Sequence, residues 1–140
     1  MRHGFRMSVG AHPGAVTEVN AAFAELAEER GLPAEVRRSV SVALDELLAN
    51  AHSHGQPGIE SYSVTVEMKV DQETVRVILT DNGMPFNPFE QDTPDTTLSV
   101  DDRPIGGLGI HLVSRLMDHV SYERREGQNV VILVKNLANG

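Results

Sequence analysis

The chain has 140 residues, 40% hydrophobic and 23% charged, with a formal net charge of -8 and no cysteine, which suits one soluble domain with its own core and is short for two. Without cysteine there is no disulfide, thiolate metal site or cysteine nucleophile. The acidic balance argues against sequence-independent binding to nucleic acid or anionic lipid, and 4% aromatic residues with no tryptophan argue against a base-stacking platform.

The opening MRHGFRMSVGAHPG lacks the apolar centre of a signal peptide, and no later stretch approaches the ~20 apolar residues of a membrane span. A single domain over 1–140 in the cytoplasm is therefore expected. Residues 3–9 read as a strand. After Pro13 and Gly14 an Ala, Glu and Leu-rich segment reads as a helix ending near Gly31. From Ala34 to Ser53, Val36, Val40, Ala43, Leu44, Leu47, Leu48 and Ala51 recur on one helix face, and Gly55, Pro57 and Gly58 stop it.

Val64, Val66, Met68 and Val70, then Val75, Val77 and Leu79, alternate with their neighbours and predict a hairpin turning at Asp71, Gln72 and Glu73. Residues 84–105 show no period and hold four of the seven prolines; a loop of that length reads as a functional lid. IHLVSRLMD predicts a helix with Leu112, Val113, Leu116 and Met117 inward. Strands over 120–124 and 130–135, turning at Glu126 and Gly127, close the chain. This order predicts an α+β two-layer sandwich, a mainly antiparallel mixed sheet with about three helices on one face.

Three features carry chemistry. Glu46, Asn50 and His54 succeed one another at four-residue steps along the edge of the second helix's apolar stripe, whereas Asp45 points to solvent. A solvated boundary gives the same pattern. Asp81-Asn82-Gly83 follows a strand whose parity places Asp81 with Val75, Val77 and Leu79, toward the interior, where a carboxylate needs a donor; Asp-Asn-Gly is also good turn chemistry. The run RPIGGLGIHLV sets glycines at a helix start, where free N–H groups and the helix dipole favour an anion, although glycine-rich turns are common.

In this order, Glu46-x3-Asn50, Asp81-x-Gly83, a lid and Gly107-x-Gly109 resemble the three boxes of the GHKL (Bergerat-fold) ATPase superfamily. The ending HSHG, the form DNGMPFNPFE and the form GGLGIHLVSRLMD are most similar to anti-sigma regulatory factors of the serine-protein kinase type. The resemblance spans roughly residues 10–136 and implies a histidine-kinase-like ATPase fold with ATP or ADP and Mg²⁺ as cofactors. By resemblance, Asn50 would coordinate the Mg²⁺ on the phosphates, a role suited to a hard amide oxygen. Asp81 would accept from the adenine amino group, and Gly83 would let the base lie against the backbone. Gly107 and Gly109, with Gly106 beside them, would wrap the phosphates under the lid, and His54 would line that region. Glu46 would be the catalytic base, taking the proton of the attacking hydroxyl.

The resemblance further implies a kinase whose substrate is a serine of a STAS-domain anti-anti-sigma protein, and an anti-sigma factor that holds a sigma factor. Homodimerisation through the N-terminal region of the sheet is a further expectation. The chain departs from many relatives at its last strand, where Gln128-Asn129 stands in place of a Ser or Thr near the adenine. His52 and His54 diverge on a helix and do not suggest a metal pair. No HExxH, Walker A or GxSxG motif is present. Other readings are a nucleotide-dependent partner switch without phosphotransfer, the catalytic half of a histidine kinase, for which no phosphoacceptor helix pair remains, and a plain structural domain.

Overall fold

The computed structural model describes residues 3–10, 14–54, 63–90 and 107–137. Strand β1 (Gly4–Gly10) leads to helices α1 (Ala15–Arg30) and α2 (Ala34–His54), then to strands β2 (Ser63–Val70) and β3 (Thr74–Asp81). Helix α3 (Gly107–Leu116) precedes β4 (His119–Arg125) and β5 (Gln128–Asn136). Gly55, Pro57 and Gly58, the 91–105 portion of the expected lid, and Gly106 lie outside the described residues.

The sheet has the order β1-β2-β3-β5-β4, and each neighbouring pair runs antiparallel. Alternation decides which face is covered. Val64, Val66, Met68 and Val70 of β2, Val75, Val77 and Leu79 of β3, and Val131 and Leu133 of β5 are all buried, as one face of a pleated strand requires. They form one cluster with Val19, Phe23 and Leu26 of α1 and Val36, Val40, Leu44 and Leu47 of α2. The result is an α+β sandwich, helices over one side of an open sheet.

Local signals set the element ends. Gly31 adopts φ 63°, and the Leu32 and Gly31 amides donate to the Ala27 and Glu28 carbonyls at 3.0 and 3.3 Å, a Schellman stop that burial of Leu32 completes. Arg37 fastens the next helix to this end: its Nε and Nη2 donate to the Leu32 and Ala27 carbonyls at 2.8 and 3.2 Å. At the far hairpin, Glu126 and Gly127 both take positive φ, 49° and 78°, the type I′ geometry that matches strand twist.

Two expectations need correction. Helix α3 begins at Gly107, earlier than expected, and Leu112 is 43% exposed rather than inward. The buried stripe is Ile110, Val113 and Met117, with Leu116 packed at its margin; at 3.6 residues per turn Leu112 stands roughly 120° round from its middle. The stretch from 84 also has structure in its described part. Pro88–Glu90 form a 3₁₀ turn, opened by the Phe89 amide donating to Asn87 Oδ1 at 2.9 Å.

Candidate functional site

Strand register assembles one end of the sheet. Val9, Val64, Asp81, Asn129 and Arg124 are consecutive partners across all five strands. Partners directly opposite one another point to the same face, so this row turns from apolar to polar on the side of the helices. Asp81 is half-buried and accepts two hydrogen bonds on Oδ1, from the Gly83 amide at 2.9 Å and from Asn129 Nδ2 at 3.0 Å. Among the described residues its Oδ2 has no partner.

Asn129 is 3% exposed and fully committed. Besides Asp81, its Nδ2 donates to the Met84 carbonyl at 2.7 Å, while its Oδ1 accepts from the Tyr122 hydroxyl at 2.6 Å and the Phe86 amide at 3.2 Å. The Phe86 N–H and the Met84 carbonyl together dictate which way the amide points. Arg124 Nη1 adds a bond to the Gly83 carbonyl at 2.8 Å. The loop after β3 is thus pinned to the β4–β5 hairpin at Gly83, Met84 and Phe86. Gly83 is buried, and among the described residues positive φ occurs only at Gly31, Glu126 and Gly127. The backbone conformation of Gly83 therefore does not itself demand glycine.

Above this row opens a cleft lined by Leu47 and Asn50 of α2, Val64, Leu79 and Asp81, Phe86 and Pro88, and Asn129 and Val131. Apolar walls with a few convergent polar groups are the usual make-up of a small-molecule site. Asn50 is half-buried and has no hydrogen-bond partner among the described residues. Glu46, one turn earlier, is half-exposed; it does not line the cleft and is likewise unpartnered among the described residues. Asp45 is exposed, as its helical position predicts, and accepts from Asn20 Nδ2 of α1 at 2.6 Å.

Gly107 and Gly109 lie inside the first turn of α3 rather than ahead of it, among the residues whose N–H groups have no partner within the helix. His54 is the last residue of α2; its side chain, like Gly106, lies outside the described residues. The described residues hold no cluster of three or more His, Cys, Asp or Glu able to cage a metal. A lone amide oxygen at Asn50 fits a hard cation that arrives on phosphates and keeps its waters, as Mg²⁺ does. Among the described residues no helix is long and apolar enough to cross a membrane.

The profile of the family described as "Histidine kinase-like ATPase domain" matches residues 9–135. The chain belongs to this family. The ATPase domain is similar to the serine/threonine-protein kinase BtrW of Bordetella bronchiseptica, 29% identical over 105 residues, 75% of this chain and 74% of that one. It is also similar to the serine-protein kinase RsbW of Listeria monocytogenes serovar 1/2a, 28% identical over 130 residues, 90% of this chain and 83% of the relative. In fold it resembles the crystal structure of the RsbU and RsbW domains of Rv1364c from Mycobacterium tuberculosis, with a TM-score of 0.66 at 17% identity over 98% of this chain and 33% of that one.

Of the sequence-predicted residues of this ATPase domain, Asn50 and Asp81 line one cleft and Gly83 is bound to Asp81; Glu46 stands a helical turn away. Sequence reasoning met Asn129 only as a departure from relatives at the last strand, with no role of its own, and gave Phe86 and Pro88 none. The signal that finds Asn129 is register: extending the two expected strands by one residue sets it opposite Asp81. Phe86 and Pro88 gave no periodic signal.

Proposed function

We propose that this domain binds ATP and ADP with Mg²⁺, transfers the γ-phosphoryl group to a serine of a STAS-type antagonist protein, and in its other state holds a sigma factor. The observation that carries the reading is that Asn50 and Asp81, far apart in sequence, line the same cleft, Asp81 with a carboxylate oxygen to spare among the described residues. In this reading the adenine lies between the apolar walls and gives its amino hydrogen to Asp81, with Gly83 letting it approach. Asn50 would hold Mg²⁺, which when bound supplies positive charge to the phosphates. The N–H groups at the start of α3, at Gly107 and Gly109 with Gly106 before them, would receive the phosphates, and His54 would stand on the same side.

Glu46 is the proposed base. As the serine oxygen bonds to the γ-phosphorus and the bond to the β-phosphate oxygen breaks, the serine proton passes to the Glu46 carboxylate and ADP leaves. Its lack of an ion pair or hydrogen bond among the described residues supports that role. Relatives named as serine-protein kinases support the reaction class. The test is incubation with labelled ATP, Mg²⁺ and candidate STAS proteins. The wild type should label a serine, and Glu46→Gln should lower the rate at least about 100-fold while nucleotide affinity is kept. A wild type that binds ATP but labels none of them would leave a partner switch without phosphotransfer.

A further inference from the structure

A buried asparagine that spends its whole amide on the protein has nothing left to offer a ligand, yet Asn129 forms part of the cleft wall. Its influence must pass through what it holds. Of its four bonds, one reaches Asp81 Oδ1, two hold the loop at Met84 and Phe86, and the fourth, from Tyr122, anchors the amide itself. Asp81 Oδ1 also accepts from the Gly83 amide, so the two donors on that oxygen occupy its lone pairs.

We propose that Asn129 is the positioning residue that sets base selectivity, by locking Asp81 so that Oδ2 alone is presented to the ligand, as an acceptor. The inference rests on the nucleotide reading above and adds to it the means by which the carboxylate is aimed. Turning the Asp81 carboxyl would break both bonds on Oδ1. A base with an exocyclic amino group complements the fixed Oδ2, whereas a base with a carbonyl there sets lone pair against lone pair and leaves Oδ2 without a donor. A serine or threonine hydroxyl has one hydrogen to donate, but the two donors of Asn129 serve Asp81 and Met84 together. The carboxylate and the loop that carries Phe86 and Pro88 are therefore positioned as one unit.

Titration calorimetry with ADP and inosine diphosphate, which differ at this amino group, tests the proposal on the intact chain with Mg²⁺. Wild type should prefer ADP by about 100-fold or more. Asn129→Asp keeps the size and the acceptor for Tyr122 and Phe86 but replaces the donor to Asp81 and Met84. It should lower the preference by about tenfold, equivalent to 1.4 kcal/mol. Tyr122→Phe, one bond further out, should lower it less. A merely structural asparagine would weaken both nucleotides together and leave the ratio intact. If Asn129→Asp does not melt cooperatively, Asn129→Ser decides by the same ratio. An undiminished ratio in a folded variant, or a wild type that binds both nucleotides equally, overturns the proposal; a wild type that binds neither overturns the nucleotide reading itself.

Discussion

At Asp81, two donors meet a single carboxylate oxygen, the Gly83 amide at 2.9 Å and Asn129 Nδ2 at 3.0 Å. An asparagine there could keep both bonds through its own carbonyl oxygen, and its NH₂ would then replace Oδ2. Asp81→Asn is therefore expected to leave folding within about 1 kcal/mol of wild type, the scale of one altered hydrogen bond. It reverses the polarity of the atom offered to the ligand. With two donors facing each other, ADP affinity should fall by about 100-fold or more, read by calorimetry beside a thermal melt. Normal ADP affinity in this variant would show that position 81 does not read the base.

Turns and caps carry the elements. Asp71 closes the β2–β3 hairpin by accepting on Oδ1 from the Thr74 and Glu73 amides, each at 2.7 Å. Those backbone donors, Thr74 first, hold its carboxyl below the ordinary value of 3.8. A carboxyl that is more acidic when folded stabilises the fold above its unfolded value and loses that contribution as pH falls through the folded one. Asp71→Asn should therefore lower the melting temperature at neutral pH, and the gap should narrow as acid brings the wild type below pH 3.8. A gap that stays constant with pH would refute the charge-assisted turn.

How far the sequence discloses the elements depends on the range of the forces involved. The α2 stripe from Val36 to Leu48 and the alternation of β2 and β3 are local, so their bounds are legible, as is the Glu126-Gly127 turn. Helix α3 is short, and four apolar residues close together at 112, 113, 116 and 117 left its buried face ambiguous; the stripe fixed by Ile110, Val113 and Met117 excludes Leu112. In the candidate site, helix spacing and strand parity made the edge position of Asn50 and the inward side of Asp81 legible, while their union in one cleft was expected from the resemblance alone. The role of Asn129 was not legible, because its partners Asp81, Met84 and Phe86 lie far from it in sequence and meet it only through the β3–β5 pairing.

The cleft exists only when the whole molecule is folded, since α2, β2, β3, the following loop and β5 each supply part of its wall around one shared core. A ligand that bridges them binds the native state and not the unfolded chain, so its binding energy adds to stability. At 100 times its dissociation constant the gain is about 2.7 kcal/mol. For a chain of 140 residues, with an unfolding entropy of about 2.1 cal/mol/K per residue, that raises the melting temperature by roughly 9 °C. Mg·ADP should produce such a shift in wild type, rising with the logarithm of ligand concentration, and Asp81→Asn should nearly abolish it over the same range. A full shift in Asp81→Asn would move the nucleotide to another part of the molecule, because no ligand seated against position 81 can be indifferent to the exchange of its acceptor for a donor.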